Sequence, residues 1–195
     1  MENHSGKDRR RTRRRGILAR FGRDREGATV IEFALLATPF ALLVFAILES
    51  CVSYAAQEVM ANATDNVARR LRTGQLLAQD VDEATIKQMI CNELSIIVAN
   101  GCPGLMVDLR SFTTFEDAAK ASFTIINGDI VLTKNGTKDE EQFVTEAGPA
   151  MSKNMLRVFY KWPVMTDFMA KSMANLKGGA TLHFASTVWQ NEPFN

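Results

Sequence analysis

A chain of 195 residues with a formal net charge of +1 has room for one modest domain and a membrane anchor. The neutral total hides an asymmetry: residues 1–27 hold ten Lys/Arg against four Asp/Glu, and the remainder thirteen against eighteen. Three cysteines without a Cys-x-x-Cys, and only two histidines, speak against a metal site.

Residues 1–26 are polar, arginine-rich and without periodicity, so they read as a basic cytoplasmic leader with no packed structure of its own. Ile17, Leu18 and Phe21 offer a short interfacial turn. The run Arg9-Arg10-Arg11-Thr12-Arg13-Arg14-Arg15 has no aromatic or base-reading module beside it. Nucleic-acid binding is therefore set aside in favour of attraction to anionic lipid headgroups. Arg14-Arg15-Gly16-Ile17-Leu18 is a short, weak match to a twin-arginine export signal.

From Ala28 to Leu48 the only charged residue is Glu32. Twenty-one helical residues rise roughly 32 Å, against about 30 Å of bilayer hydrocarbon. The segment is long enough to span a membrane. An acid inside such a span is costly and marks a functional site by default; its plainer role is to sit near the headgroups at the positive end of the helix dipole. With ten basic residues before the span and none after it until Arg69, the positive-inside bias puts the N-terminus in the cytoplasm and the rest of the chain outside it.

Past Glu49 the apolar positions Val52, Ala56, Val59, Ala63, Val67 and Leu71 recur every three or four residues, one stripe of an amphipathic helix. Gly74 supplies the left-handed residue that ends it, after Arg69, Arg70 and Arg72. The spacing predicts one helix over 28–73, half apolar throughout and half amphipathic. Pro39 should kink it or be a tolerated membrane proline.

A second helix is predicted from Asp82 to Ala99, with Ile86, Met89, Ile90, Leu94, Ile97 and Val98 on one face and Asn100-Gly101 closing it. Cys91 lies on this helix and Cys102 just beyond it. In an exported domain the two would form a disulfide closing a short loop, worth on the order of 3 kcal/mol; the alternative is two buried free thiols. Cys51 reads as a small buried helix residue.

Strand character follows. Leu105–Leu109 alternates, and Ser122–Ile126 with Asp129–Thr133 flank Asn127-Gly128 as a β-hairpin. Residues 134–153 read as a long surface loop. Asn62-Ala63-Thr64 and Asn135-Gly136-Thr137 fit the glycosylation sequon, a weak pattern. Leu156, Val158, Tyr160 and Trp162 share one face of a strand that Pro163 ends; Arg157, Phe159 and Lys161 share the other. Val164, Met165, Phe168, Met169, Ser172, Met173 and Leu176 read as the core side of a helix over 164–176. Thr181–Trp189 is a last strand, with His183 half-buried in it, and the tail from Gln190 is exposed or tucked over the sheet edge.

No nucleophile elbow, phosphate loop, dinucleotide fingerprint or His-Glu-x-x-His is present in the sequence, so catalysis has no motif to rest on. The acidic clusters Asp80-Val81-Asp82-Glu83 and Asp139-Glu140-Glu141 are explained by a helix start and a solvated loop. No cofactor is expected.

The text Arg25-Glu26-Gly27-Ala28-Thr29-Val30-Ile31-Glu32-Phe33-Ala34-Leu35-Leu36-Ala37-Thr38-Pro39 resembles the TadE-like family, minor pilin-like proteins of the Tad (tight-adherence) type IVb pilus assembly system. A cysteine pair, the Tyr160-x-Trp162-Pro163 strand end and the closing Asn191-Glu192-Pro193-Phe194 fit it more loosely. The resemblance implies a processing site of Gly27, Ala28, Glu32 and Phe33. A prepilin peptidase would cut between Gly27 and Ala28, making Glu32 the fifth residue of the mature chain and Phe33 the sixth. It also implies other Tad assembly proteins, TadG/TadE-type minor pilins and inner-membrane lipid as partners.

The fold expected is α+β: a long N-terminal pilin-like helix on a small antiparallel sheet with additional helices. Its divisions are a leader over 1–27, a transmembrane helix over 28–50, its amphipathic continuation over 51–74 and an extracytoplasmic domain over 75–195. Two further readings compete with a pilin-like subunit. One is an uncleaved single-pass anchor bearing a periplasmic scaffold or adhesion module. The other is a secreted protein cut after Ser53-Tyr54-Ala55.

Overall fold

The computed structural model describes residues 27–193; the leader's basic run, its suggested interfacial turn and Phe194 of the tail lie outside them. The protein is α+β. A helix of 45 residues, α1 (Ala28–Arg72), includes Pro39. It is followed by a 3-10 turn (Ala78–Asp80) and α2 (Glu83–Leu94). Then come β1 (Leu105–Phe112), α3 (Phe115–Ala119), β2 (Ala121–Ile126), β3 (Asp129–Lys134), β4 (Thr137–Lys138), β5 (Lys153–Pro163), α4 (Asp167–Met173) and β6 (Ala180–Gln190). The chain divides into two compact units at Phe45/Ala46, inside α1.

In the first unit the described apolar side chains face outward: Val30, Phe33, Leu35, Leu36 and Phe40 are each at least two-thirds exposed. The helix is long and apolar enough to cross a membrane. Thr38 returns its hydroxyl to the Ala34 carbonyl at 2.8 Å, one turn back and next to Pro39, which has no N–H to donate.

The second unit is layered. β5 is the centre of an antiparallel sheet ordered β1-β5-β6, and β2-β3-β4 form a second antiparallel sheet. Leu156, Val158, Tyr160 and Trp162 of β5 join Ala56, Met60, Ala63 and Val67 of α1 and Ile86, Ile90 and Leu94 of α2 in one core. Phe159, on the opposite face of β5, joins Ile130 and Leu132 of β3 and Leu176 in another. The two faces read from the alternation of β5 are both buried, which is why a strand carrying Arg157 is nevertheless central.

Arg157 is 2% exposed and Asp108 on β1 is fully buried. The Arg157 guanidinium donates to Asp108 Oδ2 from Nε at 3.0 Å and Nη2 at 2.7 Å. Its Nη1 donates to the Ser122 carbonyl of β2 at 2.9 Å, joining the two sheets. Arg110 donates to Asp108 Oδ1 at 2.8 Å and to Asp139 Oδ2 at 2.7 Å.

Several boundaries differ from the sequence expectation. The second helix stops at Leu94, five residues early. The Leu94 carbonyl accepts from both Ile97 and Val98, and Ser95 bonds back to the Asn92 carbonyl, which tightens the last turn. Ile96 is left 91% exposed. The stretch 134–153 is not all loop: Asn135 and Gly136 have φ of 54° and 77°, the geometry of a type I′ turn, and join β3 to β4. That turn is why Asn135 is there, with no need of a sugar. Thr64 of the other sequon is buried within α1 and bonds the Met60 carbonyl, a poor acceptor site. Further on, Leu109 pairs with Val144 and Glu146 through its backbone, so the segment also runs beside β1. The 164–176 stretch yields only the seven residues of α4, none of them buried. Met165 and Phe168 are 70% and 65% exposed, not core.

Other readings hold. Asn127 and Gly128, at φ of 51° and 76°, turn β2 into β3. Gly74 at φ of 70° follows α1, whose Arg70 carbonyl accepts from Gln75. Asp82 caps α2 by accepting from the Thr85 amide at 2.7 Å, and Asp139 answers Arg110, so both acidic clusters have structural roles. Cys91 and Cys102 are bonded, eleven residues apart in sequence, returning the chain from the end of α2 towards β1. Cys51 is exposed, not buried as its helix position suggested. The tail is tucked in. Asn191 is 5% exposed, accepts from the Trp189 indole and donates to the Gly148 and Pro149 carbonyls. The Glu192 amide then closes on the Arg72 carbonyl at the end of α1.

Candidate functional site

The first candidate site is the start of α1. Gly27 is a turn residue immediately before the helix, and its carbonyl accepts from the Ile31 amide at 3.2 Å. It thus stands directly before the helix, where the first helical N–H groups have no partner within the helix. Glu32 lies one turn further on and is exposed, as is Phe33 at 72%. Gly27, Ala28, Glu32 and Phe33 are therefore gathered within the first two turns of an apolar helix. Cys91 and Cys102 lie in the second unit and serve its loop.

The second unit holds a polar seam that sequence reasoning missed. The buried face of α1 includes Ala56, Ala63, Val67 and Leu71 of the expected stripe, but Val52 is 42% exposed. The face steps through Glu49, Ser53, Ala56, Met60, Ala63 and Val67, all buried, with alternating spacings of four and three. Its first two members are polar, and each has a named partner.

Glu49 is 7% exposed. It accepts from the Met165 amide, from the Thr166 amide at 3.3 Å and from the Thr166 hydroxyl at 2.7 Å. Thr166 in turn caps α4 by accepting from the Met169 amide. Ser53 Oγ shares a hydrogen bond of 3.0 Å with His183 Nε2 on β6. The His183 ring stacks on Trp162, centroids 5.0 Å apart and planes within 12°. Gln57, which is only half-buried, donates to the Phe184 carbonyl at 2.7 Å and accepts from the Phe184 amide at 3.1 Å. Its amide thereby acts as a one-residue strand pairing the free edge of β6. The signal available in sequence was Glu49, Ser53 and Gln57 at i, i+4 and i+8, one helix face running into the apolar stripe.

Burial in this seam lowers the His183 pKa from 6.5 to about 4, because the imidazolium loses its water. A base with a depressed native pKa stabilises the fold fully above the unfolded value of 6.5. That stability is lost as pH falls from there towards 4. Between pH 7.5 and 5 the loss should be about 2 kcal/mol. Thermal melts of wild type and His183→Gln over this range check it: the wild-type slope should exceed that of the variant, and parallel slopes would show that the imidazole does not titrate as its burial requires.

Among the described residues no cluster of metal-ligating side chains occurs. The start of α1 places a glycine peptide and a carboxylate one turn apart, while the seam fastens helix to sheet. No curated protein and no solved structure matches the chain. Residues 27–69 match the family described as TadE-like protein, a stretch that opens on Gly27 and ends in the last turn of α1, so the likeness covers the long N-terminal helix.

Proposed function

We propose that the chain is a minor pilin-like subunit of a Tad-type pilus, held in the bacterial inner membrane by the first part of α1. Its N-terminus is cytoplasmic and its folded domain lies outside. One observation carries the reading: Gly27 and Glu32 flank the start of an outward-facing apolar helix that continues into the core of an α+β domain, within a segment that matches the TadE-like family.

A prepilin peptidase would cut between Gly27 and Ala28, since glycine lets an enzyme approach the backbone closely. The cut leaves Ala28 with a new ammonium. Glu32 would neutralise it, in the same chain or on a neighbour, where an unpaired charge in lipid is expensive. The protein is then a peptidase substrate, not an enzyme. Its partners would be other Tad assembly proteins and TadG/TadE-type minor pilins, and its contribution adherence.

The test is the N-terminal residue and intact mass of the protein recovered from native membranes. A chain beginning at Ala28 is expected. A chain still carrying its leader would favour the uncleaved anchor with a periplasmic scaffold or adhesion module. One beginning at Ala56 in the soluble fraction would refute the membrane helix itself.

A further inference from the structure

We propose that the Met165–Phe168 edge of the folded domain is a second membrane contact, its two side chains entering the headgroup boundary of the bilayer beside the end of the span. The proposal rests on α1 being membrane-spanning, as set out above. The apolar run of α1 ends at Leu48, and its last residues, Ala46, Ile47 and Leu48, belong to the same unit as the α+β domain. The next residue, Glu49, holds the Met165 and Thr166 amides with its carboxylate. Met165 is thereby fixed at the level where the apolar run stops, and Phe168 follows within one helical turn.

Both side chains are turned away from the protein, 70% and 65% exposed, although a phenylalanine in the first turn of a short helix and a methionine just before its cap would normally pack inward. The helix needs no such face to stay in place, since Thr166 caps it and Glu49 grips that cap. Met165 also borders a groove lined by Ile97, Val98, Pro103, Trp162 and Pro163. The apolar surface thus continues past Met165. Lys161 lines the same groove, and Lys171 and Asp167 on α4 are exposed. The local charge is nearly balanced, so apolar burial rather than attraction to anionic lipid would drive the contact. Two points of attachment, the span and this edge, would restrict the tilt of the domain over the membrane.

The test uses the full chain in nanodiscs of phosphatidylethanolamine and phosphatidylglycerol. Cys51→Ser leaves the disulfide pair as the remaining cysteines. A nitroxide is then placed through Phe168→Cys, and in separate samples through Phe40→Cys in the span and Lys138→Cys on β4. Collision with oxygen, which concentrates in lipid, is compared with collision with a water-soluble nickel chelate. The oxygen-to-nickel ratio at 168 should exceed that at 138 several-fold and approach that at 40. A label at 168 that behaves like 138 while 40 stays in lipid would overturn the second contact and leave the span standing. Shielding of 168 from both reagents would mean that protein covers it, which also overturns the proposal. Nickel access at 40 as well would remove the span together with everything built on it.

Discussion

Arg157→Met should lower stability by about 3–5 kcal/mol, the loss typical of breaking a buried ion pair from one side. The substitution keeps most of the volume and removes only the charge and its donors. Asp108 stays fully buried, with Arg110 and the Val144 amide as its remaining donors. The Ser122 carbonyl loses its link to β5. The damage should therefore concentrate on the second sheet and on the segment from Asp139 to Glu146, which Arg110 and Asp108 hold against β1. Urea unfolding in detergent micelles measures the loss, and a double-mutant cycle with Asp108→Leu identifies its origin. If uncompensated charge is the cause, the double variant should lose clearly less than the sum of the two single losses. Additive losses would mean that the pair contributes through packing alone.

This pair also marks where the sequence stops being readable. Local periodicity located α1, the Asn127-Gly128 hairpin and the alternation of β5, because each is a repeat of apolar positions within a few residues. Arg157 lay inside that alternation and was assigned to a face. A single charged residue in a strand says nothing about which residue 49 positions away will meet it. Glu49 and Ser53 were invisible for the same reason: their partners, at Thr166 and His183, are more than 110 residues away. Hydrophobicity alone leads the stripe on α1 through Val52, whereas the observed stripe becomes polar at Ser53 and Glu49. The α4 error is the reverse. Methionine and phenylalanine at helical spacing looked like core, but the cap on Thr166 anchors this short helix and leaves them outside. Of the proposed processing motif, the residues and their place at the head of the helix could be read directly, since both are local. The proposed cut would be a property of the peptidase encounter, and neither spacing nor burial encodes it.

Glu32→Ala should leave cutting between Gly27 and Ala28 largely intact and abolish incorporation into pili. The proposed cut lies directly before the helix, where Gly27 sits in a turn, and Glu32 is a full turn away from that bond. Before cutting, the residue at position 28 carries an amide; after it, an ammonium that must enter lipid. Without the carboxylate that charge has no partner on its own first turns, since the described residues from Thr29 to Leu48 hold no other acid. The cost of an unpaired charge in a membrane helix is at least about 2.5 kcal/mol, enough to shift an assembly equilibrium by nearly two orders of magnitude. Glu32→Gln separates charge from shape: it keeps the side chain's length and one acceptor oxygen but cannot neutralise the ammonium, so it should fail like alanine. Glu32→Asp, which keeps the charge on a shorter arm, should retain part of the assembly. Immunoblots for the cut and uncut forms, with sheared surface fractions probed for the protein, give both readouts from the same cells. Normal surface levels with Glu32→Gln would sink the neutralisation mechanism, and accumulation of the uncut form would relocate Glu32 to peptidase recognition.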